Sequence, residues 1–183
     1  MCYRCQKISP GGKTCKSCRS STQLIRVRSV TNYNGLAKQL VWRLKFQRAR
    51  AAGEEIGNML APIARDLPAG TILVHVPTAT SRVRRRGYDQ SVVIARQLAK
   101  AESLRYAPLL SRQGQHKQVG TSGSQRRKRM DQAFRVRRPS LAAGVHIVLI
   151  DDVITTGATL EAAAKTLREA GAKKVEAIVF ARA

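Results

Sequence analysis

Apolar periodicity starts only after Ser20. Leu24, Val27 and Val30 form a short extended segment, and the spacing then turns helical at Leu36, Leu40, Val41 and Leu44. A second helical set, Ile56, Leu60, Ile63 and Ala64, follows, with Gly53 expected near the break between the two. Ile72-Leu73-Val74-His75-Val76 is an apolar, largely β-branched run closed by Pro77, the pattern of a strand buried on both faces. The arginine-rich stretch that follows reads as a loop, and Val92, Val93, Ala95, Leu98 and Ala99 then line one side of a helix. Residues 113–126 have almost no apolar periodicity and read as a long loop, a length that in compact domains is usually functional. Val145–Ile150 is the cleanest buried strand, Leu160–Ala170 a helix ended by Gly171, and Val175–Phe180 a final strand. Strand alternating with helix implies an α/β fold with a mainly parallel sheet flanked by helices. There is no internal repeat.

Composition narrows the partners. The 183 residues suffice for one α/β domain plus a small appendage, and a hydrophobic content of 43% marks a folded chain. No apolar run approaches the roughly 18–20 residues of a membrane span, and the segment after Met1 lacks an apolar leader, so a cytoplasmic location is expected. Lys and Arg number 34 against 11 acids, a net charge of +23 that attracts phosphate-bearing partners, from small diphosphates to a nucleic-acid backbone. The excess is clustered in Arg82, Arg84, Arg85 and Arg86, in Arg126, Arg127, Lys128 and Arg129, and in Arg135, Arg137 and Arg138. A solvated cationic face is the plain alternative. Aromatics at 4% are too few for an extended base-stacking platform.

The segment richest in chemistry is Ile147-Val148-Leu149-Ile150-Asp151-Asp152-Val153-Ile154-Thr155-Thr156-Gly157-Ala158-Thr159. An apolar strand delivers two acids to its carboxyl end, where open α/β sheets bind ligands. A Thr/Gly turn then opens a helix, whose free amides make an anion site that Gly157 lets a ligand approach closely. Thr155, Thr156 and Thr159 add hydroxyls. Carboxylates followed at once by a phosphate cradle suit a sugar phosphate. A buried strand with an incidental Asp-Asp turn and a Thr-rich cap would be the structural alternative.

All four cysteines fall within residues 2–18, in the spacing Cys2-x2-Cys5-x9-Cys15-x2-Cys18. Two thiolate pairs, reversed on Pro10-Gly11-Gly12, suit one tetrahedral, structural zinc ion. Two disulfides would instead require an oxidising compartment. The confinement of the cysteines sets residues 1–20 apart as a knuckle, with residues 21–183 forming the α/β domain.

The 147–159 segment resembles the 5-phosphoribosyl diphosphate signature of type I phosphoribosyltransferases. That resemblance implies that Asp151 and Asp152 hold the ribose hydroxyls, that Thr155, Thr156, Gly157, Ala158 and Thr159 hold the 5-phosphate, and that magnesium accompanies the ligand. Further segments resemble the ComF family of competence-associated proteins, with its ComFC and GntX-like members. They are Val76-Pro77 followed by Arg82 and by Arg86-Gly87-Tyr88-Asp89-Gln90; Gln118-Val119-Gly120 with Arg126 and Ala133-Phe134; and the terminal Phe180-Ala181-Arg182-Ala183. Lys45 also stands where the family places a lysine. Tyr88, Asp89, Thr121 and Arg129 depart from its wording. The family carries an N-terminal zinc finger, as the knuckle would be.

By the same resemblance Arg82, Arg86 and Gln90 are diphosphate candidates, while Gln118 and Arg126 fall where the fold places a closing flap. Asp89 is also a natural helix cap. His75 reads as a packed strand residue, and His116 and His146 follow no pattern. The family implies a role in DNA uptake and natural transformation, with single-stranded DNA and competence-machinery proteins as partners. A transferase acting on a base or amine, and a non-catalytic sensor of phosphoribosyl diphosphate, are the alternatives. Phosphoribosyl transfer asks mainly for positioning, metal and a dry site, so no nucleophile–base pair is needed.

Overall fold

The computed structural model describes residues 1–113 and 133–183; Gln118, Arg126 and the 126–129 cluster lie outside the described residues. Five parallel strands form the main sheet in the order β1 (Val27–Asn32), β7 (Lys174–Arg182), β6 (His146–Ile154), β2 (Ile72–His75), β3 (Arg105–Tyr106). The two central strands, β6 and β7, run in parallel register from His146–Lys174 to Ile154–Arg182. Strand β6 is therefore longer than the predicted Val145–Ile150: pairing with the nine-residue β7 carries it through both acids to Ile154.

Side chains of the sheet alternate between two apolar layers. Val74, Ile147, Leu149, Val175, Ala177 and Val179 face α7 (Ala158–Glu169) and the antiparallel pair β4 (Leu110–Arg112) and β5 (Phe134–Val136). Leu73, Val148, Ile150, Ile178 and Phe180 face α2 (Gly35–Phe46), α3 (Arg50–Leu60) and α5 (Gln90–Ala101). The expected doubly covered parallel sheet is present. Gly53, expected near a helix break, instead sits inside α3, where a Cβ would meet Val93 Cγ1 at 2.9 Å and Leu44 Cδ1 at 3.0 Å. Gly57 does the same service against Gln97. Small residues let α3 and α5 pack closely. Of the predicted α2 stripe, Val41 and Leu44 are buried but Leu36 is 82% exposed.

The arginine-rich stretch read as a loop is α4 (Thr80–Arg86). It shows no apolar periodicity because Val83 is its one apolar side chain. Gly87, at φ +85°, caps it, and Arg84, Arg85 and Arg86 sit in its last turn, where the helix dipole favours cations. The remaining α-helices are α1 (Lys16–Arg19) in the cysteine segment and α6 (Pro139–Ala142) before β6.

At the amino end of the sheet, away from the two acids, Glu176 is buried amid His146 (Nε2–Oε1 3.3 Å), Arg28 (3.6 Å) and Arg26 (3.7 Å). Burial pushes its carboxyl up, but the adjacent His146 and the arginine charges outweigh this and leave it below the ordinary value. A depressed carboxyl pKa adds stability above the unfolded value and loses it as pH falls through the folded one. Glu176→Gln should therefore destabilise the fold at neutral pH by about 3 kcal/mol, the scale of breaking a buried ion pair. The gap between variant and parent should close as urea melts are taken well below pH 4.5, the ordinary glutamate value.

Candidate functional site

Strand β6 ends its apolar run at Ile150 and delivers Asp151 and Asp152 to the carboxyl edge of the sheet. The two carboxylates differ. Asp151 accepts hydrogen bonds at one oxygen from Ser91 Oγ (2.9 Å) and from the Asp152 amide (2.9 Å). Burial, and then the neighbouring Asp152 charge, raise its pKa to about 7 against the help of those donors and of Lys45. Asp152 is buried and takes an ion pair from Lys45 Nζ at 2.9 Å, while its Oδ2 has no hydrogen-bond partner.

These acids open into a cleft of about 630 Å³ lined by Lys45, Arg82, Arg85, Arg86 and Arg112 as well as by Thr78 and Thr159. Five cations face two carboxylates there, so the cleft suits an anion that also carries hydroxyls or a metal. Arg86 is buried at the end of α4; its Nη1 donates to Gln90 Oε1 at 2.6 Å, and its Nε is buried without a partner. Buried polar atoms left unpaired are costly, and two of them, one anionic and one cationic, belong to residues that line the same cleft. Asp89 accepts from the Ser91 amide as the cap of α5 and from the Thr78 amide (2.8 Å) and hydroxyl (3.1 Å). It thereby ties the turn after β2 to the helix that carries Ser91 and Gln90.

Beyond Ile154 the chain turns through exposed Thr155 and Thr156 to Gly157, which caps α7 at φ +79°. Asp151, Asp152, Arg82, Arg86, Gln90 and Thr159 thus line one cleft, and Thr155–Ala158 stand on the turn beside it. Gln118 and Arg126 lie outside the described residues.

Sequence reasoning missed several contributors, Thr78 among them. Ser91 sits one residue past the Gln90 already noticed. Arg112 lines the cleft from β4 and lies 5.5 Å from the Phe134 ring, in a strand too short to show a period. Phe46 and Tyr33 also line the cleft; Phe46 is 57% exposed, with the Arg86 guanidinium 5.8 Å from its ring. An exposed aromatic at the end of an amphipathic helix was the available signal.

The second cluster is the knuckle. Its four cysteines are free thiols, and their sulfurs all lie within 4.8 Å of one another. A tetrahedral ion with thiolate bonds of about 2.3 Å separates its ligands by about 3.8 Å, which this cluster matches. Cys15 is drawn down to about 6 by hydrogen bonds from Ser17 and Cys5, whereas burial and its cysteine neighbours push Cys18 up to about 12. Four sulfurs this close could all be deprotonated only around a shared cation. The donor set therefore fits a soft, closed metal site.

Comparison with known proteins bears on the fold and the family. A family model described as phosphoribosyl transferase domain matches residues 59–183. Competence protein ComFC of Bacillus subtilis is 28% identical over 93% of this chain and 72% of its own length. DNA utilization protein YhgH of Salmonella typhi is 30% identical, over 82% of this chain and 69% of that protein. The chain belongs to the ComF family. Competence protein F of Haemophilus influenzae is similarly related, at 30% identity over 79% of this chain and 67% of its own. Among solved structures, the allosteric regulatory enzyme of purine biosynthesis overlays 71% of this chain with a TM-score of 0.53 at 22% identity. Only 25% of that larger chain is matched, and the likeness shows the phosphoribosyltransferase fold alone. The ComF assignment and the type I fold read from sequence are both borne out.

Proposed function

We propose that this ComF-family protein binds 5-phosphoribosyl diphosphate with magnesium in the cleft at the end of β6 and acts in the handling of incoming DNA. The observation that carries the ligand reading is that Asp152 and Arg86, each with a buried side-chain atom left unpartnered, both line one cationic cleft. In this reading Asp151 and Asp152 accept the ribose hydroxyls, and the Thr155–Thr159 turn with the α7 amides receives the 5-phosphate. Arg82, Arg86 and Arg112 face the diphosphate, the paired N–H groups of guanidinium matching its oxygens. Magnesium, a hard cation held largely through the ligand's own oxygens, would sit with the ligand beside Asp151 and Asp152 and would offset the diphosphate charge. The knuckle would hold zinc through Cys2, Cys5, Cys15 and Cys18. Residues 1–20 then form a structural module and residues 21–183 the ligand-binding domain.

The DNA role rests on the relatives named for competence and DNA utilization and on the exposed Arg82, Arg84, Arg85, Arg135, Arg137 and Arg138. Single-stranded DNA binding should weaken steeply with salt, because each neutralised phosphate releases counterion. Replacing Arg82, Arg84 and Arg85 by Ser should reduce the slope of log affinity against log salt by about 2, at about 0.7 per lost contact. A filter-binding series at several salt concentrations, with and without phosphoribosyl diphosphate and magnesium, measures this. Undetectable DNA binding at low salt would remove the DNA role. In parallel, turnover of labelled phosphoribosyl diphosphate with a panel of bases and amines would replace the binding reading by that of a transferase.

A further inference from the structure

The knuckle is not merely an appendage: its Tyr3 is built into the turn that follows the two acids. Tyr3 lies between the ligand cysteines Cys2 and Cys5 and is 5% exposed, within the same apolar cluster as Ile154 and Leu160. Its ring packs so close to Gly157 that a Cβ there would come within 2.9 Å of Cδ2 and 3.0 Å of Cε2. Gly157 is thus required twice, by its φ of +79° and by the ring above it. The Tyr3 hydroxyl donates to Glu161 Oε2 at 2.7 Å, in the first turn of α7, and the other Glu161 oxygen accepts the Gln23 amide. From the end of β7, Arg182 Nη2 donates to the carbonyls of Cys2 (3.2 Å) and Tyr3 (3.1 Å). The turn 155–157 is therefore held between β6, α7 and a side chain whose backbone the cysteine cluster fixes.

We infer that Tyr3 is a positioning residue for the 5-phosphate turn, so that an intact, metal-loaded knuckle tunes affinity for the phosphate end of the ligand. This rests on the reading of the cleft as a phosphoribosyl diphosphate site. The coupling is local. Tyr3 touches the Gly157 turn and the start of α7, whereas the arginines assigned to the diphosphate stand on α4 and β4. The two halves of the ligand should respond differently.

The test uses the full chain and two probes, ribose 5-phosphate and inorganic diphosphate, each titrated calorimetrically with magnesium. Tyr3→Ala should weaken ribose 5-phosphate about tenfold, the size expected when a few turn residues must be ordered on binding, and leave diphosphate within about twofold. Tyr3→Phe keeps the ring over Gly157 and loses only the Glu161 bond, so its loss should be smaller. Parent protein treated with a zinc-selective chelator in excess magnesium should behave like Tyr3→Ala and recover when zinc is returned. Unchanged ribose 5-phosphate affinity in Tyr3→Ala overturns the inference, as does an equal loss of both probes. If the parent binds neither probe, the ligand reading itself fails and the inference with it.

Discussion

Asp151→Asn should make the unliganded protein more stable at pH 7.5 while removing most of its response to phosphoribosyl diphosphate. Folding raises the Asp151 pKa from 3.8 to about 7. The folded state therefore binds this proton more tightly than the unfolded chain, and stability drains away as pH rises between those values. Asparagine keeps a carbonyl oxygen for Ser91 and the Asp152 amide but carries no charge to desolvate beside Asp152. We expect a gain of about 1–2 kcal/mol, which for a chain of this length is about 3–6 °C in melting temperature. Binding should move the other way, because a charge-assisted hydrogen bond to a ribose hydroxyl contributes about 1.5–3 kcal/mol, or roughly 10–100-fold in affinity. Opposite signs separate a residue kept for a ligand from one kept for the fold. A lower unliganded melt with an unchanged ligand response would assign Asp151 to structure instead.

The second large effect belongs to the knuckle. Purified protein should contain about one zinc per chain, by the four-ligand logic of closed thiolate sites. Cys18→Ser should release it, since a structural thiolate site binds zinc with about 10–16 kcal/mol of apparent free energy and a missing ligand forfeits much of that. The damage should spread past the knuckle. Thr14 bonds backbone to backbone with Ile25 (2.9 Å), Ile25 in turn with Val175 (3.1 Å), and Tyr3 belongs to the core on the α7 face. Losing Tyr3 from that core costs about 2–3 kcal/mol, so the domain should melt about 5–10 °C lower while keeping its helical circular dichroism. Metal analysis and a thermal melt read both outcomes. A metal-free native preparation holding two disulfides would refute the zinc site.

What the sequence disclosed, and what it hid, follows from the range of the interactions. Strands β2, β6 and β7 each contain an unbroken apolar stretch (Ile72–Val74, Ile147–Ile150 and Ala177–Ala181) because both faces are covered there, and such stretches can be read residue by residue. Helix α4 could not be read that way, since a helix with a solvated cationic face has no apolar period, and its decisive feature is the left-handed Gly87 cap. Strands β3, β4 and β5, at two or three residues each, are too short for any period to register. The acids, the Thr/Gly turn and the cysteine spacing were legible because each is a local motif. The pairing of Lys45 with Asp152 spans 107 positions, and Tyr3 with Glu161 spans 158. No local pattern announces contacts at that separation. His146 followed no pattern for the same reason: its partners, Thr71 and Glu176, arrive on other segments.

The assignment of the cleft rests most directly on whether magnesium and phosphoribosyl diphosphate bind together where β6 ends. A calorimetric titration of the parent and of Asp152→Asn, each with and without magnesium, measures it. Asp152 is the discriminating position because it lines the cleft with one oxygen held by Lys45 and the other buried without a partner. The parent should bind about one ligand per chain in magnesium and much more weakly without it, and Asp152→Asn should lose the magnesium-dependent component. Equal binding with and without the metal, or an Asp152→Asn variant that binds as tightly as the parent, would contradict it.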